Sequence, residues 1–347
     1  MDTAWRYGFW AAALTAMLLS WCCVPELISP PFEPGDLRPP AVVDWRSSAA
    51  RELRIAFDEA VRAELADFAC AEDVGIAAVQ AGTDGRELVI LLERDQEPGK
   101  AFSLSGLAFD LHGNATSFIL PFWGHNPRPA GIAINELGSV ASASHPDALE
   151  FYVKSAGNLA GLAFYVGLRG DYDHRYIFPP CEVAAGDFVV LHLRPQGIES
   201  ERDELSDKGS SGGLDATPDA WDFWYRAGGG GLPDKNGALS LYDTPGGSIM
   251  DALLYSDRGA DSTANYGGFG TASFQARATA IVEAGAWLKA ADRVSPGDCA
   301  SSLGITSTRT LNRGSDSKDS DHKDDWHIVP TSGISLGRVN SDAVYNP

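Results

Sequence analysis

Five aspartates near the C-terminus are the densest group of metal-ligating side chains in this sequence. They are Asp316, Asp319, Asp321, Asp324 and Asp325. Carboxylate oxygens are the ligands that Ca²⁺ prefers, so this segment is a candidate calcium site. The spacing differs from an EF-hand, because no glycine stands at the sixth position and no glutamate closes the loop. The alternative is a solvated loop whose charge is partly offset by Lys318 and Lys323. No other cofactor is predicted.

Three aromatic residues stand together in a segment rich in glycine, serine and aspartate. They are Trp221, Trp224 and Tyr225. Exposed aromatic rings stack on sugar rings or anchor protein partners, so this group is a candidate surface for a carbohydrate or protein ligand. The alternative is that the rings are buried against a sheet and hold the segment in place.

No arrangement of side chains predicts catalysis. Glu136 and Glu150 both lie in predicted strands, but an acid–base pair needs a cleft and a perturbed pKa, which the sequence does not indicate. Three histidines are unevenly spaced and are interpreted as surface or core-edge residues. They are His145, His174 and His192. We therefore predict no catalytic residues.

The N-terminus has the features of an export signal. Phe9–Leu19 is apolar and too short to span a bilayer, and Arg6 precedes it. The sequence Leu-Ser-Trp-Cys ending at Cys22 resembles a bacterial lipobox, which predicts a signal peptide over 1–21 and lipidation of Cys22. An ordinary signal sequence or signal anchor is the alternative. Residues 22–41 contain six prolines and are predicted to be an extended tether.

Three cysteines lie beyond the predicted anchor. Cys70, Cys181 and Cys299 are far apart in the sequence. Export permits a disulfide, and Cys181 and Cys299 lie within one predicted domain, so they are the candidate pair. The alternative is that all three are small buried apolar residues.

Composition indicates a globular protein. The chain has 347 residues, 44% of them hydrophobic and 21% charged, which suits two domains of ordinary size. Its formal net charge of −20 argues against nucleic acid as a partner, because phosphates would be repelled.

Between residues 131 and 193 the sequence reads as short strands separated by turn residues. The runs are rich in β-branched and aromatic residues and are Ile132–Leu137, Asp147–Val153, Asn158–Val166, Arg175–Phe178 and Phe188–Leu193. This spacing is typical of an antiparallel β-sandwich.

The same region resembles the lamin-tail domain, an immunoglobulin-like β-sandwich also found in bacterial surface proteins. The matching segments are Ile134–Glu136, Glu150–Tyr152, Asn158–Gly161, Pro180–Val190, Asn236–Asp243, Gly247–Asp251, Leu311–Arg313, Asp325–Trp326 and Gly337–Asn340. The sequence departs from the family at Leu162, where tryptophan is usual, and in two insertions, Arg194–Leu232 and Asp261–Gly304. The resemblance implies a binding or tethering module whose Glu136 and Glu150 accept hydrogen bonds from loop backbone.

Residues 42–127 are predicted to form a separate domain. Their strands and the turn at Asp110–Asn114 resemble the bacterial Ig-like modules of surface proteins. Two prolines in Asn126–Pro129 break the chain before the second domain, 130–347. The predicted fold is all-β, with two Ig-like antiparallel β-sandwich domains and a helix, Ser273–Ala291, in the insertion of the second.

Together these features predict a lipoprotein of the bacterial cell envelope, anchored through Cys22 to the membrane or cell surface. Its β-sandwich domains are expected to bind or tether a protein or carbohydrate. One alternative is a structural surface spacer. Another is an accessory module of a phosphoesterase or nuclease system, because bacterial lamin-tail domains accompany such enzymes.

Overall fold

A computed structural model describes residues 36–71, 74–228, 230–258 and 264–346. The predicted signal peptide, the lipidation site Cys22 and tether residues 22–35 lie outside the described residues. Within the described ranges, no helix has the length and apolar character needed to cross a membrane.

The strands up to residue 123 form the N-terminal sandwich. They are β1 (Val42–Ala49), β2 (Glu52–Phe57), β3 (Val61–Arg62), β4 (Ala69–Cys70), β5 (Ile76–Ala81), β6 (Glu87–Leu92), β7 (Ala101–Asp110) and β8 (Ala115–Trp123). One sheet has the order β1-β2-β6-β5, and the other has the order β3-β7-β4, with β8 also paired to β7. In β2 and β6 every second residue is buried, so each of these strands turns one apolar face to the shared core.

The later strands form the C-terminal sandwich. They are β9 (Gly131–Gly138), β10 (Ala148–Ser155), β11 (Gly157–Asn158), β12 (Ala163–Leu168), β13 (Asp171–Ile177), β14 (Glu182–Val183), β15 (Phe188–His192), β16 (Ala220–Trp224), β17 (Asn236–Tyr242), β18 (Ile249–Ser256), β19 (Ala300–Ser301), β20 (Leu311–Arg313) and β21 (Trp326–Ile328). A six-stranded sheet, β16-β15-β10-β9-β20-β21, and a five-stranded sheet, β13-β12-β17-β18-β19, enclose the larger core. Strands β11 and β14 form a separate pair. The predicted all-β fold with two sandwich domains is confirmed.

The first insertion is more ordered than its composition predicts. Its residues Ala220–Trp224 form strand β16, which pairs in parallel with β15 at the edge of the six-stranded sheet. Both faces of β15 are covered, and all five of its residues are buried. Part of the first insertion therefore completes the sheet.

The helix of the second insertion is shorter than predicted. A single turn, α1 (Ala264–Gly267), precedes α2 (Ala272–Glu283), which starts after Thr271 and packs against β12 and β17. Helix α2 ends where Gly285 adopts a left-handed φ of 77°, a conformation that favours glycine. The predicted helix Ser273–Ala291 is wrong in its C-terminal part. Short 3-10 helices occur at Leu65–Asp67, Pro296–Asp298 and Lys323–Asp325.

The cysteines of the C-terminal sandwich are separate thiols. Cys181 and Cys299 are both buried and free, so the predicted disulfide between them is wrong. Burial raises the pKa of the Cys181 thiol to about 12 and also raises that of Cys299. Both thiols therefore remain protonated at neutral pH and act as small apolar side chains.

The two sandwiches touch through backbone as well as side chains. Asn126 Nδ2 donates to the carbonyl oxygens of Asn158 and Ala160, each at 2.9 Å. A methyl group on Gly99 would lie 2.5 Å from the backbone nitrogen of Gly161. Only glycine permits so close an approach, so the contact fixes how the loop before β7 meets the turn before β12.

Candidate functional site

The predicted aromatic binding surface is largely core. Trp224 is 2% exposed and stacks on the buried His192 ring, with ring centroids 4.0 Å apart. Tyr225 is also buried, and only Trp221 is half-buried, with its Nε1 donating to Asp187 at 3.0 Å. The prediction of an exposed aromatic ligand surface is wrong, because β16 carries these rings into the sheet.

Buried carboxylates hold the first insertion in place. Glu201 accepts hydrogen bonds from the backbone nitrogens of Gln196 and Gly197 at 2.8 and 2.7 Å. Glu204 accepts from Ser211 and from Asp222 in the same way. In this insertion, hydrogen bonds to the carboxylates of Glu201 and Glu204 replace an apolar core. Nothing in the sequence pattern indicated this structural role for the two glutamates.

The acidic segment surrounds an arginine. Arg313 is 1% exposed, and its guanidinium lies 3.2 Å from Asp251, 3.1 Å from Asp319 and 3.4 Å from Asp325. Asp316 and Asp324 are exposed and bond locally, to Lys318 and His322 respectively. Among the described residues, two of the five aspartates, Asp319 and Asp321, come together with Asp251, their carboxylate oxygens within 4.8 Å of one another, whereas the other three lie outside this group, so the five do not form one ligand set. A guanidinium supplies the positive charge instead.

Two positive groups, Arg313 and Lys154, do not balance all these carboxylates. Burial raises the pKa of Asp251 to about 7, although Arg313 opposes the shift. Burial alone would raise the pKa of Asp319 too, but Arg313 and Lys154 lower it overall. Asp251 therefore gains a proton before Asp319 as pH falls.

A bulge in β9 brings two buried glutamates side by side. Glu136 lies opposite Glu150 on β10, and Asn135 is the extra residue of the bulge. Asn135 Nδ2 donates to Glu150 at 2.8 Å. Both carboxyls are fully buried, and desolvation raises the pKa of each, with Glu136 adding to the rise at Glu150.

The glutamate pair holds down the C-terminal segment. Glu136 accepts from the backbone nitrogen and hydroxyl of Ser335, the hydroxyl at 2.6 Å, and from the Thr310 hydroxyl at 2.7 Å. Glu150 accepts from the backbone nitrogen of Gly337 at 2.6 Å. Both carboxylates therefore act as acceptors within the framework, which is the role that the lamin-tail resemblance implied.

Alternate residues of this segment line an open cavity of about 510 Å³, which we call the C-terminal groove. Ser335 and Gly337 face the glutamates, whereas Ile334, Leu336 and Arg338 line the groove. The other lining residues come from three further loops and are His145, Asp215, Thr217, Asp219, Thr308 and Ser332.

A histidine–aspartate pair marks one wall of the C-terminal groove. His145 Nδ1 lies 2.9 Å from Asp215 Oδ1 across 70 residues of sequence. Asp215 and Ser332 both have left-handed backbone, with φ of 61° and 66°. Non-glycine residues adopt this conformation at a cost and concentrate at functional sites, and together with the His145–Asp215 pair they make this groove the candidate site.

The other two histidines have different roles. His192 is buried, and its Nε2 lies 2.8 Å from Asp222. His174, a residue of β13, lies beside the ring of Tyr225. Sequence reasoning did not single out His145 from these, because its partner Asp215 is placed by the tertiary structure.

The fold defines a two-domain all-β protein built from β-sandwiches. The family model TP_1001_2nd, described as a protein second domain, matches residues 130–328. This match covers more than half of the chain, and the chain belongs to that family. The resemblance to the lamin-tail domain stays a prediction.

The chain is also similar to an uncharacterized protein of Treponema pallidum (strain Nichols). The two are 35% identical over 159 residues, which are 45% of this chain and 39% of the relative. The match thus spans well under half of the relative's length.

Two solved structures have weaker similarity. The N-terminal part of the bacterial S-layer protein SbsC has a TM-score of 0.25 and 12% identity, covering 62% of this chain and 43% of that one. Domains 1–6 of surface layer protein SbsC have a TM-score of 0.25 and 10% identity, covering 58% and 39%. At this TM-score the similarity decides neither fold nor function.

Proposed function

We propose that this chain is a lipid-anchored protein of the bacterial cell envelope and that it binds an envelope partner through the C-terminal groove. The observation that carries the proposal is the construction of the groove. Its lining comes from four separated segments, and one wall is fixed from beneath by Glu136 and Glu150. A site that is already in place before a partner arrives loses little conformational entropy on binding.

The lining of the groove suits a polypeptide segment. Ile334 and Leu336 offer apolar contact, and Arg338 and Asp219 offer charges of opposite sign at the rim. Protein interfaces combine an apolar centre with a polar rim in this way. The first candidate partner is therefore a segment of another envelope protein.

The groove is tested with a photoreactive amino acid at Thr308 in the full chain expressed in bacteria. We expect a cross-linked adduct with an envelope protein that weakens at least about tenfold in Arg338→Gln, since a rim charge is lost at the site of contact. Arg202→Gln, at an exposed arginine outside the groove lining, is the matched control. Equal adduct yield from all three proteins would refute the groove as the binding surface.

The proposed anchor has its own test. Radiolabelled palmitate should enter the wild-type chain, and Cys22→Ser should abolish the label and release the protein from the membrane fraction. Cys23→Ser is the matched control and should be labelled like the wild type. Label in Cys22→Ser would contradict anchoring at this cysteine.

The His145–Asp215 pair supports one second candidate, a hydrolase. A carboxylate at Nδ1 orients an imidazole for general base catalysis, and the hydroxyls of Thr217, Thr308 and Ser332 line the same groove. Hydrolysis of chromogenic esters or phosphodiesters by the full chain, lost in His145→Gln, would replace binding by catalysis as the function.

A further inference from the structure

A second cavity lies where the two sandwiches meet, and nothing in the C-terminal groove contributes to it. This junction groove has a volume of about 590 Å³, within the range of about 300–1,000 Å³ typical of small-molecule sites. Among its lining residues are Trp45, Trp123, Asn126, Arg169, Asp243 and Thr244. Sites between domains are a common location for ligands.

Two tryptophans from edge strands form the N-terminal side of the junction groove. Trp45 Nε1 on β1 donates to the Pro121 carbonyl at 2.8 Å, and the Ser47 hydroxyl donates to the Trp123 carbonyl at 2.8 Å. These bonds fix β1 against the end of β8. Both indoles are half-buried, so each leaves part of its surface open to the cavity.

The Trp123 indole also has an unused donor. Its Nε1 is shielded from solvent and has no acceptor among the described residues. A buried polar group without a partner is rare in folded proteins.

Two turns of the C-terminal sandwich form the opposite side. Arg169, between β12 and β13, donates to the carbonyls of Gly246 and Gly247, which follow β17. Asp243 Oδ1 accepts from the backbone of Ser248 at 2.8 Å. A methyl group on Gly246 would lie 3.8 Å from the Trp123 ring, so this turn stands directly across from the indole.

Charge in the junction groove is balanced. Its charged lining residues, with histidine taken as neutral, are Asp44, Arg46, Arg169 and Asp243, two of each sign. This neutrality contrasts with the net charge of −20 for the whole chain. The groove therefore favours a ligand with many hydrogen-bonding groups and no net charge.

We propose that the junction groove binds a neutral saccharide, with its sugar rings against Trp45 and Trp123 and its hydroxyls on Arg169 and Asp243. Aromatic surface together with fixed polar groups matches the apolar faces and hydroxyl edges of a sugar. The proposal extends the proposed binding role to a second surface and a second ligand class.

The site is preformed because the sandwiches are held in register around it. The backbone contact of Gly99 with Gly161 and the bonds of Asn126 to Asn158 and Ala160 lie at the same junction. A preformed site binds a rigid ligand such as a sugar ring without a large ordering cost.

The test uses the full chain and a panel of neutral and charged oligosaccharides of two to four sugars, followed by titration with tryptophan fluorescence and calorimetry. We expect a neutral saccharide to bind with a Kd of about 1 mM or tighter and to change the tryptophan emission. Absence of binding by every neutral member, or binding of charged members only, would overturn the proposal.

Variants at one position separate binding from folding. Gly246→Phe should fill the cavity and weaken binding at least about tenfold, whereas Gly246→Ala adds only an ordinary contact and should bind like the wild type. Trp45→Ala should weaken binding to a similar degree, with circular dichroism confirming the fold. Unchanged saccharide binding in a folded Gly246→Phe protein would place the ligand elsewhere. If the photoreactive residue at Thr308 forms no cross-link but the saccharide still binds, only the proposal for the C-terminal groove is refuted.

Discussion

Replacing Arg313 with methionine should lower the free energy of unfolding by about 3–5 kcal/mol, the range for breaking a buried ion pair on one side. The change leaves Asp251, Asp319 and Asp325 without their shared cation. It also removes the donors to the Ile134 and Lys318 carbonyls, at 2.6 and 3.0 Å. Because methionine fills similar space, lost packing contributes little to this effect.

Urea unfolding of the full chain measures the effect. Arg313→Lys should be intermediate, because it retains the charge but not the planar fork that reaches two carbonyls and three carboxylates. Arg202→Met, at an exposed arginine, should change stability by no more than about 0.5 kcal/mol. If Arg313→Met unfolds at the wild-type urea concentration, the acidic segment does not depend on this guanidinium.

Raising the pH from 5 to 8 should destabilise the protein by about 2–4 kcal/mol through its buried carboxyls. The pKa values of Glu136, Glu150, Asp147 and Asp251 are all raised by burial, that of Asp147 to about 6 and that of Asp251 to about 7. A carboxyl whose pKa is raised in the folded state contributes its full stability below the unfolded pKa. That stability is lost as pH rises from the unfolded value, near 4, through the folded value.

Substitution at Glu150 isolates the contribution of the glutamate pair. Glutamine is neutral at every pH, so Glu150→Gln should make stability less dependent on pH above 5 and leave Glu136 without a charged neighbour. Glu199→Gln, at an exposed position, is the control and should follow the wild-type curve. Thermal unfolding at pH 5, 6, 7 and 8 gives the comparison. Parallel curves for wild type and Glu150→Gln would show that the pKa of Glu150 in the folded state is not raised into this window.

The fold class and most strand positions could be predicted from the sequence, because both depend on local patterns. Alternation of buried and exposed residues along β2, and the continuous apolar run of β15, can be read from a few neighbouring residues. The helix boundary was predicted less well. Gly285 ends α2, whereas the pattern of apolar residues continues to Trp287, which is buried outside the helix.

Which polar and aromatic groups meet depends on contacts between segments that are distant in the sequence. Trp224 is buried because its own strand, β16, pairs with β15, which lies about thirty residues earlier in the sequence. Arg313 meets Asp251 across 62 residues. The candidate site depends on the same kind of contact, since His145 and Asp215 are 70 residues apart and the junction groove needs both sandwiches. Residue type limits what each group can do, but the distances between remote segments are set by how the sheets pack. Chemistry that requires two such segments therefore leaves no periodic signal in the sequence.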